Sequence, residues 1–155
     1  MMTSLCSEVL SRLEGRQLVT AESLTGGGIG AALTAVSGAS SVYKGGIVSY
    51  TNEVKQAVLG VPEEILETYG AVSQWTAGCM VSGVRKLLGA DVAVSVTGLA
   101  GPGGDAFGNP VGTVFIGYED SHRGIVKHCR FSGTREEIRS QTIETALKLI
   151  LEYNG

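Results

Sequence analysis

The stretch from Val19 to Leu33, reading V-T-A-E-S-L-T-G-G-G-I-G-A-A-L, constrains the fold more than any other. An apolar run leads into a hydroxyl-bearing corner, a glycine run and a small-residue helix. Gly26, Gly27 and Gly28 can take backbone angles closed to other residues, and no side chain shields their N–H groups. A helix starting there aims unpaired N–H groups and a partial positive charge above the strand end. That is a place to hold an anion, either a phosphate or an oxyanion. Ser23 and Thr25 lie at its lip.

The remaining chain supplies the partners of this unit. Leu5, Val9 and Leu13 recur at helical spacing between Thr3 and Glu14, and Gly15 ends that helix. Strand one is predicted over Gln17–Glu22 and a helix over Gly27–Val36. Strand two runs over Lys44–Thr51, with Asn52 as N-cap of a short helix to Leu59. Pro62 suits the first position of another helix, to about Thr68. Ser73 caps a long helix to Leu88, buried through Met80, Val84 and Leu87. Val92–Val96 suits a central strand covered on both faces. Val111–Tyr118 and Gly124–Phe131 are strands joined by a tight turn, the second of them at an edge. Thr134 with Glu137 makes a capping box for a last helix with Ile138, Ile143, Leu147 and Ile150 inside. Strands alternating with helices predict one three-layer α/β/α sandwich over residues 1–155, with a mixed, mostly parallel five-stranded sheet. The tight fourth-to-fifth connection makes one of those two strands antiparallel to the rest.

Composition narrows the function classes. At 155 residues with 43% apolar and 17% charged, the chain has an ordinary globular makeup and length for a sizeable core. A net charge of -3 without a basic run argues against a nucleic-acid surface. No stretch has the roughly 18 apolar residues of a membrane span, and charged residues interrupt the start where a signal peptide would be apolar. Cys6, Cys79 and Cys129 are too far apart for a disulfide framework or zinc site, and read as reduced thiols of a cytoplasmic protein. No metal and no cofactor is expected.

Three polar groups fall just past the ends of the first three strands: Ser23, the Tyr50/Lys55 pair, and Thr97. Open α/β sheets form sites outside the carboxyl ends of their strands, so these residues are predicted to share one crevice. A serine beside a lysine points to nucleophilic catalysis with a neutral amine as base. An ordinary lysine pKa of about 10.4 would have to fall by about 3 units to leave the amine half neutral at pH 7. Burial, or the positive field at the start of the glycine-run helix, can do that. Gly98–Gly104 is a second glycine-rich loop at a strand end, able to present N–H groups to an anion. Arg135 and Arg139 lie one turn apart on the last helix and can face one anion together.

Three patterns lead elsewhere and are weaker. Gly26-x-Gly28-x-x-Ala31 matches a dinucleotide fingerprint, but the acidic residue expected about 20 positions on would be Glu53, at a helix start. Ser41-x-x-Lys44 precedes a strand where a β-lactamase motif needs a helix. His122, His128 and Cys129 share no ligand face.

The motifs Ala21-Glu22-Ser23-Leu24-Thr25-Gly26-Gly27, Gly45 to Lys55, Gly70-Ala71-Val72-Ser73, Val96 to Gly104 and Pro110 to Val114 together resemble the CinA C-terminal domain family. The match covers about residues 5 to 150, and the form it resembles is the stand-alone, PncC-type one without an N-terminal molybdopterin-binding-like domain. The resemblance implies an α/β/α sandwich with a mixed five-stranded sheet, metal-free action and a homo-oligomer, a dimer first. It implies nicotinamide-nucleotide amidase activity on nicotinamide mononucleotide. It also implies Ser23 as nucleophile, with Lys55, Tyr50 and Thr97 as the other catalytic residues. On that reading the N–H groups around Thr25, Gly26 and Gly27 hold the oxyanion. Gly101, Gly103, Gly104, Arg135 and Arg139 are then the candidates for the substrate phosphate. Two departures stand out: Gly133-Thr134-Arg135 where the family often reads G-D-R, and Gln74-Trp75 where acidic residues are common. The competing reading is a pyridine-nucleotide or phosphate sensor with the same crevice and no turnover. A dinucleotide-dependent oxidoreductase is a third.

Overall fold

Parallel pairing of the first three strands decides where everything else goes. In a computed structural model that describes residues 2–155, β1 (Leu18–Glu22) lies between β2 (Tyr43–Val48) and β3 (Val92–Gly98), parallel to both. β4 (Thr113–Glu119) then pairs antiparallel with β3, and β5 (Gly124–Arg130) antiparallel with β4. The sheet order is β2-β1-β3-β4-β5, and β4 alone runs against the other four. The three-layer reading and the reversed strand are borne out.

Alternation along the strands divides the core. Leu18, Val92, Val94 and Val96 face α1 (Met2–Arg12), α2 (Gly28–Thr34) and α6 (Arg135–Tyr153), meeting Cys6, Val9, Leu13, Ile29, Leu33, Ile138, Leu147 and Ile150. Val19, Ala21 and Ala93 face the other way, onto Leu59, Val61, Leu66, Met80, Val81 and Val84. That layer holds α3 (Asn52–Ala57), α4 (Glu63–Tyr69) and α5 (Gln74–Leu88). Central strands covered on both faces are apolar throughout, as β3 is apart from Ser95 and Thr97. Ser95 turns its hydroxyl to the Ala77 carbonyl of α5 at 2.8 Å, so its burial is satisfied.

Element ends depart from the sequence reading where local capping wins. β2 stops at Val48, leaving Ser49, Tyr50 and Thr51 as a connector. Thr51, not Asn52, caps α3, its hydroxyl accepting from the Val54 N–H at 3.4 Å. Pro62 stands one place earlier than predicted, as the N-cap of α4. Leu87 is 52% exposed, because the buried stripe of α5 runs through Met80, Val81 and Val84. The capping box of α6 is present, with Thr134 and Glu137 in reciprocal bonds.

One buried acid organises the start of α2. Gly26 and Gly27 take φ of 58° and 96°, angles that glycine adopts without strain, and turn the chain from β1 into the helix. The N–H groups of Ile29 and Gly30 then donate to the Glu22 carboxylate at 2.8 and 3.0 Å. Thr25 and Thr20 add hydroxyl donors at 2.7 and 3.2 Å. Glu22 is 2% exposed, and these bonds offset the cost of burying it. The anion at this helix start is therefore the chain's own, which corrects the expectation of an open ligand site there.

Two glycines of α5 measure how tightly that helix is packed. A methyl group at Gly83 would run into the Leu59 carbonyl, a backbone atom with no freedom to give way. At Gly78 the nearest heavy atom is 3.8 Å off, on Val126. Gly83→Ala is expected to destabilise the fold by about 1–3 kcal/mol through overpacking. Gly78→Ala should be neutral, or stabilising by up to ~1 kcal/mol through helix propensity. Chemical denaturation of the two variants checks the contrast; equal midpoints would refute the close packing.

Candidate functional site

Parallel β1, β2 and β3 deliver their carboxyl ends to one edge of the sheet. Ser23 follows β1 directly and its N–H donates to the Val96 carbonyl of β3 at 3.0 Å. Ser49 follows β2, and its N–H donates to the Glu22 carbonyl at 2.8 Å. The corner that carries the serine is thus pinned to both neighbours. One turn into α3, Lys55 reaches back over the sheet edge.

Lys55 Nζ lies 2.9 Å from Ser23 Oγ, 2.8 Å from the Ser49 carbonyl oxygen and 3.3 Å from that of Tyr50. The lysine is 1% exposed, and Ser23 is buried beside it. Among the described residues no carboxylate lies within ion-pair distance of it. Burial alone pushes the lysine down to about 8 from its ordinary 10.5. The geometry serves either protonation state. As an ammonium, Lys55 donates to all three oxygens. As an amine, it keeps hydrogens for the two carbonyls and turns its lone pair to the Ser23 hydroxyl, which is the orientation a base needs.

A cavity of about 300 Å³ opens over this pair. Ser23, Tyr50, Lys55, Thr97, Gly101, Gly103 and Arg135 line it, so the structure brings most of the predicted residues together. Leu24, Ala71, Val72 and Gly98–Ala100 complete the wall. Arg135 spans the mouth. Its guanidinium donates to the Gly101 carbonyl at 2.7 Å and to the Tyr50 hydroxyl at 3.2 Å.

Several residues stand elsewhere than their predicted roles need. The Tyr50 ring is 59% exposed and its hydroxyl faces Arg135; only its backbone carbonyl meets Lys55. Thr97 donates its hydroxyl to the Ala71 carbonyl at 2.7 Å, holding the turn before α5. Thr25, Gly26, Gly27, Gly104 and Arg139 lie outside the cavity wall. Thr25 is spent on Glu22, and the Gly26 N–H donates to the Ser23 carbonyl at 3.1 Å. Gly104 sits against the Asn109 carbonyl. Arg139 does not join Arg135; it donates to the Leu24 and Thr25 carbonyls at 3.0 and 3.1 Å and braces the serine corner from behind. The positive field of α2 is also unavailable to depress Lys55, since Glu22 occupies that helix end.

Sequence reasoning missed Glu22 and the Ser49 carbonyl. A signal for the first existed: an acid between an apolar strand and a helix start is placed as an N-terminal partner of the helix dipole. A backbone carbonyl leaves no signal in residue identity. Among the described residues no group of three or more His, Cys, Asp and Glu gathers as a metal site, and no helix is long and apolar enough to cross a membrane. His122 sits in the β4–β5 turn, and His128 stacks on Phe115 with ring centres 4.5 Å apart.

Known proteins share this sequence pattern and this fold. The CinA C-terminal domain pattern matches residues 2–154. A CinA-like protein from Synechococcus is 56% identical over 115 residues, which is 73% of this chain and 27% of that protein. A CinA-like protein from Rippkaea orientalis is 46% identical over 150 residues, 94% of this chain and 36% of that one. The chain thus spans about a third of the length of these relatives. Solved structures correspond over nine-tenths or more of their length. A competence or damage-inducible protein from Enterobacter asburiae superposes with a TM-score of 0.97 at 30% identity, covering 100% of this chain and 99% of that one. A competence/damage inducible protein from Agrobacterium tumefaciens gives 0.95 at 39% identity, over 99% and 96% of the two chains. With this match across nearly all of its residues, and a mixed five-stranded sheet to go with it, the chain belongs to the CinA C-terminal domain family.

Proposed function

We propose that the chain is a serine amidohydrolase that hydrolyses nicotinamide mononucleotide to nicotinic acid mononucleotide and ammonia. The observation that carries this reading is the 2.9 Å contact between Ser23 Oγ and a lysine buried without a carboxylate. A lysine kept only as a surface or ion-paired residue has no need of such burial, whereas a base does. The family resemblance supplies the substrate.

The Lys55 amine takes the Ser23 proton as Oγ attacks the carboxamide carbon. Leu24 is next in the chain and lines the cavity, so its N–H is the donor closest in sequence to the developing oxyanion. The C–N bond then breaks, Lys55 returns the proton to the nitrogen, and ammonia leaves. Water attacks the acyl-enzyme with Lys55 again as base, and Ser23 regains its proton. Arg135 meets the 5′-phosphate by exchanging the Gly101 carbonyl for phosphate oxygens, a stronger charge-assisted partner. A cavity of about 300 Å³ suits the ring and ribose, with the phosphate at the mouth.

Ammonia release from nicotinamide mononucleotide by metal-free protein tests the reading. Ser23→Ala should lose about a thousandfold or more in kcat and still bind substrate. Wild-type binding without ammonia release would instead identify a sensor. Activity should rise with pH through about 8 and level off above it, because only the neutral amine accepts a proton. A profile flat between pH 6 and 9 would remove Lys55 as the base.

The same titration has a stability signature. The folded-state value of about 8 lies below the ordinary 10.5, so the charged form is disfavoured by folding. The cost, about 3 kcal/mol, is fully present below pH 8 and disappears as pH rises to about 10.5. The unfolding free energy of wild type relative to Lys55→Met should therefore increase by up to about 3 kcal/mol over that window. A pH-independent difference would show that the lysine titrates normally.

A further inference from the structure

Among the described residues Glu22 is the one buried acid beside the Ser23–Lys55 pair, and the reaction above does not use it. It is attached to both members. Its carboxylate accepts from Thr25 Oγ1, the Ile29 N–H and the Gly30 N–H, which fixes the turn that begins at Ser23. Its backbone carbonyl accepts from the Ser49 N–H at 2.8 Å, with the Ser49 hydroxyl at 3.5 Å, and the Ser49 carbonyl in turn holds Lys55 Nζ. We propose that Glu22 is a positioning residue whose buried carboxylate, bound to the start of α2, holds Ser23 and Lys55 in their reactive arrangement. The inference rests on the Ser23–Lys55 reading above.

Chemistry requires an acid here rather than any polar residue. Every group that meets the carboxylate is a donor: two N–H groups and two hydroxyls. Thr20 also shares its hydroxyl with Tyr43 at 2.7 Å, a phenol that burial keeps protonated, so the hydrogens run in a chain toward Glu22. A glutamine would set an N–H₂ against the Gly30 N–H, two donors facing each other. It would lose that bond and let the helix start move relative to Ser23.

Charge makes the role separable from mere packing. Around the pair the charged and titratable groups are Glu22 from β1, Arg135 and Arg139 from α6, and Tyr50 from the β2–α3 connector. Glu22 cancels the positive end of α2. Without its charge the helix end is uncovered, the neutral amine of Lys55 is favoured, and the pH midpoint of nucleophile activation moves down.

A fluorophosphonate probe reads Ser23 directly and needs no knowledge of the substrate. The Oγ–P bond forms, P–F breaks, fluoride leaves, and the serine proton passes to Lys55. Labelling rates of wild type and Glu22→Gln, followed by mass spectrometry from pH 6 to 10, give a plateau and a midpoint. Glu22→Gln should lower the plateau by about tenfold or more and move the midpoint down by about half a unit or more. An unmoved midpoint, whatever the plateau, overturns the proposal, since loosened packing alone gives that result. If Glu22→Gln does not fold, Thr25→Val removes a single donor to the same carboxylate; it should slow labelling at least about threefold, and a wild-type rate there overturns the proposal. A wild type that never labels at Ser23 overturns the nucleophile assignment itself, and this inference with it.

Discussion

A lysine ammonium removed from water without a counter-ion is the constraint that the functional end of this molecule answers. Lys55 has backbone carbonyls and a serine hydroxyl for company, and these partly replace water without fixing the proton. A carboxylate in their place would have stabilised the charged form and left the amine useless as a base at neutral pH. The surrounding architecture keeps acids away: the one buried acid nearby, Glu22, is fully bound by donors of its own. The protein tolerates an unfavourable lysine because α3 holds it there and two cores on either side of the sheet supply the stability.

Division of labour between the two cationic helix residues follows from where α6 crosses the site. Arg135, at the first turn, faces the mouth and is satisfied by groups that a ligand can replace. Arg139, one turn on, is committed to two main-chain carbonyls of the serine corner. A pair of arginines at that spacing looks equivalent in sequence. Only the depth of the corner beneath α6 separates the structural one from the available one.

How much was legible in the sequence follows the same logic. The sheet, its layers and the Ser23–Lys55–Thr97 edge were readable because β1 and β3 are buried, largely apolar runs that end in recognisable corners. The capping box of α6 was readable because both its residues declare their function. The use of α2's first N–H groups was not, since a glycine run reads as an open anion site whether or not an acid of the same chain already fills it. The place of Tyr50 was not legible because β2 ends at Val48, three residues earlier than predicted, so Tyr50 emerges from a connector rather than from the sheet. Leu87 was misjudged because a helix of fifteen residues carries more apolar positions than one sheet face can cover.

The reversed fourth strand has a consequence for how such a site can diversify. A right-handed crossover from β3 would have carried the chain away to the far edge of the sheet. Because β4 runs back, the connector after Gly98 both leaves and returns at the edge that carries the cavity, clasped at its base by the Leu99–Thr113 and Gly112–Leu99 backbone bonds. Gly101 and Gly103 of that connector line the cavity and Gly101 holds Arg135, so a change in it reaches the mouth of the site, while Ser23 stays held by its N–H to the Val96 carbonyl of β3. Variation in the connector therefore reshapes the mouth of the cavity, while the places of Ser23 and Lys55 are set by β1, β3 and α3.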